Sequence, residues 1–117
     1  MAHERLAAAE PENTSYARDL SISYERLGDL AHHAEDTETA KALLTTAASI
    51  RRALHRQEPN RIDLAEELGV TLAQLSSVVN NDDRAALIAE TVDVLEPFER
   101  AGTLTPKGTA VLRWARQ

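Results

Sequence analysis

Four successive stretches of this chain carry apolar residues at every third or fourth position, and proline, asparagine or aspartate stands at the breaks between them. That period is the period of an α-helix with one wet face and one dry face. The first stretch, 14–33, has Tyr16, Leu20, Tyr24, Leu27, Leu30 and Ala31 in phase. The second, 37–57, has Ala40, Leu43, Leu44, Ala47, Ile50 and Leu54; the third, 61–79, has Leu64, Leu68, Leu72, Leu75 and Val79. The fourth, 82–100, has Ala85, Ile88, Ala89, Val92 and Leu95. Aromatic residues make up only 3% of the 117 residues, and Ala and Leu dominate the apolar share, so an all-β fold is excluded in favour of an all-α one.

The breaks predict where helices start. Asn13, Asp36, Asn60 and Asn81 are the expected N-caps, and Glu38, Asp63, Asp82 and Asp83 follow in first turns, where the helix dipole favours an acid. A short helix is expected at 4–9 and a final one at 106–116, capped by Thr105 with Pro106 at its first position. Pro97 is expected to kink or end the fourth helix. Short links at 34–36 and 80–81 make successive helices antiparallel neighbours.

The chain also resembles itself. The stretch Leu6 to Pro11 matches Leu54 to Pro59, and the same shift sets Leu20 on Leu68, Tyr24 on Leu72, Leu27 on Leu75 and Ala31 on Val79. After a tighter turn in the second copy, Ala40 falls on Ala85, Leu44 on Ala89, Ala47 on Val92 and Ile50 on Leu95. The unit is therefore a helical hairpin used twice, at about 12–57 and 60–100, with a terminal helix at 105–117, all in one domain.

The run Tyr24-Glu-Arg-Leu27-Gly28-Asp-Leu-Ala31, followed by Ala40, Leu44 and Ala47, resembles the tetratricopeptide repeat in its long-helix bacterial form. Ser76 stands where the second copy would repeat Gly28, and Ala89 where it would repeat Leu44. The resemblance implies two antiparallel hairpins wound as a right-handed superhelix, with the last helix as a cap. It assigns the hairpin contacts to Tyr24, Leu27, Gly28, Ala31, Ala40, Leu44, Ala47, Leu72, Leu75, Ser76, Val79, Ala85, Ala89 and Val92. It further implies a non-catalytic scaffold that holds a peptide or protein in the groove of its first helices. Arg18, Ser21, Glu25 and Arg26 from one hairpin, and Glu66, Gly69, Thr71 and Gln74 from the other, would line that groove.

The remaining residues argue against chemistry. The chain has no cysteine, which removes disulfides and thiolate sites. His32 and His33 are adjacent and point about 100° apart on a helix, so they read as partners of the last carbonyls rather than as metal ligands. Glu66 and Glu67 diverge for the same reason, and the serines have no histidine at useful spacing. Arg51, Arg52 and Arg56 read as complements of the helix dipole and of nearby acids. No catalytic residue, metal or cofactor is expected. A net charge of -6 disfavours nucleic acid, and no apolar run reaches membrane length. With no signal-type leader in the opening residues, a cytoplasmic protein is expected. The second reading of the same features is a helical bundle that assembles with copies of itself, because two hairpins alone bury little core.

Overall fold

The computed structural model describes residues 11–117. The helix expected at 4–9 and the match between Leu6 and Leu54 lie outside the described residues. Five helices follow one another: α1 (Pro11–His33), α2 (Thr37–Gln57), α3 (Ile62–Ser76), α4 (Asn81–Arg100) and α5 (Pro106–Ala115), with no strand among the described residues.

Local chemistry fixes their ends. Asp36 accepts the Thr39 N–H at the start of α2, and Thr105 accepts the Gly108 N–H at the start of α5, both as expected. α4 is capped one residue earlier than expected, by Asn80, which accepts the Asp83 N–H at 2.8 Å. α1 runs on through Asn13, and α3 starts after Arg61 rather than Asn60, with no side-chain cap. Two helices end in the same six-residue motif. Asp36 N–H reaches Ala31 C=O at 2.9 Å and Glu35 N–H reaches His32 C=O at 3.0 Å; Thr103 and Gly102 do the same onto Phe98 and Glu99. The motif needs a left-handed residue, filled by Glu35 (φ 63°) in the first case and Gly102 (φ 74°) in the second. α3 stops at Ser76, three residues short of the expected end, where Arg84 Nε donates to the Ser76 carbonyl. Pro97 neither ends α4 nor cuts it short: the helix continues to Arg100. Pro97 and Asp93 are both exposed, so the Asp93 carbonyl that loses its N–H partner can turn to water.

Each helix packs on the next in a chain of hairpins, α1 on α2, α2 on α3, α3 on α4, and α5 closes over α3 and α4. The core runs along α2 and α3, with Ala40, Leu44, Ala48, Leu68, Leu72 and Leu75 buried together with Val78 and Leu87. A second cluster joins Ala65, Leu95 and Leu112 under α5, flanked by Phe98 and Val111. α5 thus caps the second hairpin through Leu112, while Trp114 stays 38% exposed. Gly28 brings α1 onto α2, since a Cβ at this position would stand 2.8 Å from Leu44 Cγ.

Three of the expected packing residues lie elsewhere. Ala85 and Ala89 are exposed, because α4 turns Leu87, Thr91 and Leu95 inward instead. Burying those larger side chains removes more apolar area from water than burying two alanines does. Leu27 is also exposed, together with Tyr16, Leu20 and Leu30 of the same predicted stripe. α1 meets α2 through Ser21 and Gly28, and its leucines face out.

Candidate functional site

The buried face of α1 is polar because Arg51 lies beneath it. Arg51 is in phase with Leu44, Ala47, Ala48 and Leu54 on the inner face of α2 and is only 3% exposed. Its Nε donates to Ser21 Oγ at 3.0 Å, and its Nη1 donates to the Glu67 carbonyl at 3.2 Å and to Thr71 Oγ1. The Glu25 carboxylate lies 3.0 Å from the same nitrogen and balances the charge. One guanidinium therefore ties α1, α2 and α3 together, and its phase within an otherwise apolar stripe is the sequence signal for it.

The ion pairs continue along the line between α1 and α3. Arg18 forks onto Glu67 and reaches Asp63 at 3.3 Å; Arg61 in turn holds Asp63 at 2.8 Å and Glu58 at 3.1 Å. The Glu67 hydrogen bond raises the pKa of Arg18, and the Arg61 hydrogen bond holds the Asp63 carboxyl below its usual range.

This corrects the expected groove. Arg18, Ser21, Glu25 and Thr71 do come together, but around Arg51 and Glu67, with their polar atoms engaged by their own chain. Glu66 is buried and accepts from both the backbone N–H and the hydroxyl of Thr105. Gly69 is buried under Leu95 and Val111. Gln74 lies apart from the others, with Ala73, Ser77, Ala110, Val111 and Trp114 around a cavity of about 360 Å³ between α3 and α5. Of these eight residues only Arg26 is exposed, on the outer face of α1.

That outer face is the most distinctive surface of the described chain. Tyr16 is 65% exposed, Leu20 36%, Leu27 51% and Leu30 67%. With exposed Ser23 between them they step by four, three, four and three, the seam of a coiled coil. Large apolar residues scattered singly on a surface are ordinary; here four of them are aligned along one helix.

A second cavity, of about 350 Å³, lies between α2 and α4 and is lined by Arg52, His55, Arg56, Leu68, Glu90 and Val94. Arg52 is forked onto Glu90 at 2.6 and 2.8 Å, and burial pushes the His55 pKa down. Among the described residues no group of three or more His, Asp or Glu side chains is placed to hold a metal ion, and no helix is long and apolar enough to cross a membrane. No protein-family model matches the chain, and neither a curated protein nor a solved structure is significantly similar to it.

Proposed function

We propose that this chain is a non-catalytic protein-interaction module of the tetratricopeptide-repeat type that receives a partner helix along the outer face of α1. The observation that carries this reading is the unequal burial of equivalent repeat positions. Leu68 and Leu75 of α3 are 1% and 5% exposed, in a cluster with Ala40, Leu44 and Ala48 of α2. Their repeat equivalents on α1, Leu20 and Leu27, are 36% and 51% exposed, and no helix among the described residues covers them. A face that is covered by a helix in the second hairpin and bare in the first is shaped to accept a helix. The seat is thus the outside of α1 rather than the line between α1 and α3, which ion pairs already close.

The test is a selection of amphipathic helical peptides against the chain, repeated with the Leu20→Glu/Leu27→Glu variant. Both residues are exposed, so the variant keeps its helical spectrum and its melt. Selected helices should bind the natural chain and lose most of their affinity for the variant. Equal binding to both proteins would remove α1 as the seat.

A further inference from the structure

We infer that the helix received by α1 is α1 of a second copy of this chain, lying antiparallel to it. The inference rests on α1 being the docking face, and three observations on that face choose the occupant and its direction.

The first is charge. Asp19 and Arg26 are seven residues apart, both exposed, on one flank of the Tyr16–Leu20–Ser23–Leu27–Leu30 seam. Neither forms an ion pair among the described residues. In an antiparallel pair of helices the residues on this flank face their own kind across the seam. One alignment puts Asp19 of each copy against Arg26 of the other, giving two opposite-charge contacts related by the two-fold axis. Sliding by one heptad in either direction puts Asp19 against Asp19 or Arg26 against Arg26. A parallel alignment sets both residues beside Tyr24 and Ala31 and pairs no charge.

The second is size. The same alignment places Leu20 opposite Ser23 of the second copy, so each small side chain at the centre of the seam meets a large one, and Tyr16 packs against Leu27 on either side. A parallel pair would stack Ser23 on Ser23 and leave a gap at the centre.

The third is closure. α5 covers α3 and α4 at the other end of the fold, with Leu112 1% exposed. Head-to-tail stacking would therefore set α1 on a helix that already caps the fold, rather than on a second uncapped hairpin. The contact that remains is the self-complementary one, which closes as a dimer.

The experiment is sedimentation over a concentration series for the natural chain, Leu27→Glu, Asp19→Lys, Arg26→Glu, and an equal mixture of the last two. The natural chain is expected to be a dimer and Leu27→Glu a monomer with an unchanged helical spectrum. Each charge reversal turns two attractions into two repulsions and should weaken the dimer about tenfold. The mixture should recover the lost affinity, because a copy with two cations on the flank meets a copy with two anions. A mixture no tighter than its components would overturn the antiparallel alignment. A natural chain that stays monomeric throughout would overturn the second copy as occupant; the peptide selection then still decides whether α1 is a seat at all. Dimers that survive Leu27→Glu and dissociate in Trp114→Ala would overturn the inference in favour of the α3–α5 cavity.

Discussion

The Glu66 carboxylate accepts the backbone N–H of Thr105 at 2.9 Å and its hydroxyl at 2.8 Å, and so fastens the start of α5 to the middle of α3. Glu66 is 4% exposed, with no cationic partner among the described residues; its carboxylate is met by these donors and by the positive end of the α5 dipole. Gly108, in the first turn of α5, leaves room for the carboxylate where a Cβ would overlap it.

Glu66→Ala should therefore lower stability by about 1–3 kcal/mol, since it removes the charge-assisted hydrogen bonds that hold Thr105 to α3. Glu66→Gln, which keeps one acceptor oxygen in nearly the same volume, should lose less. Gly108→Ala should also destabilise, by displacing the carboxylate. Urea unfolding of the three variants gives the order; a Glu66→Ala midpoint equal to that of the natural chain would show that the bond to α5 does not support the fold.

Gly28 gives a steric test of the first hairpin. Leu44 is 2% exposed and locked in the core, so it cannot move aside cheaply for the Cβ that would meet its Cγ at 2.8 Å. Gly28→Leu should destabilise by about 1–3 kcal/mol or more through overpacking. Gly28→Ala should cost less, because it adds only the Cβ, and the roughly 1 kcal/mol of helix propensity that either substitution regains offsets more of that smaller clash. A thermal melt of Gly28→Leu that matches the natural chain would mean that the α1–α2 distance is not set at this residue.

The inner stripe of α2 could be read directly from the sequence, because Ala40, Leu44, Ala47 and Leu54 leave only one dry face. α5 was equally legible, from Thr105, Pro106 and Leu112. α1 was not. Its leucines outrank Ser21 and Gly28 on any hydrophobic scale, yet the serine face is buried because it meets Arg51, a partner 30 positions away. Local periodicity reports which face of a helix is apolar but not what lies opposite it. α4 misled for a related reason: two overlapping series share the helix and meet at Leu95, and packing buries the one through Leu87 and Thr91 rather than the one through Ala85 and Ala89. Of the groove residues only Arg18, Ser21, Glu25 and Thr71 come together, and a long-range network around Arg51 and Glu67 fills the space between them; Arg26, Glu66, Gly69 and Gln74 do not join them.

The turn after α1 offers a stabilising change. Glu35 holds a left-handed conformation, φ 63°, at the position of the motif that Gly102 fills after α4. A side chain in that region costs about 1–2 kcal/mol that glycine avoids. Glu35 is exposed, and none of the side-chain hydrogen bonds or ion pairs among the described residues involves it, so nothing offsets the strain. Glu35→Gly should raise the melting temperature, reduced somewhat by the extra freedom glycine gives the unfolded chain. A lower melting temperature would mean that the unfolded-state term outweighs the relief.

His55 makes stability depend on mildly acidic pH. It faces the cavity shared with Arg52, Arg56 and Glu90, and its Nδ1 is buried with no hydrogen-bond partner. Burial holds its pKa below the ordinary 6.5, so the folded chain binds this proton more weakly than the unfolded chain does. The sign follows from linkage: the contribution is complete above the unfolded value and is lost as pH falls below it toward the folded value. Between about pH 7 and pH 5 the natural chain should lose stability for this reason. His55→Gln cannot titrate and should show a shallower slope over the same interval, while His32 and His33, exposed at the end of α1, remain in both proteins as an internal control. Thermal melts of the two proteins across that interval make the comparison, and parallel pH slopes would show that His55 is not the group responsible.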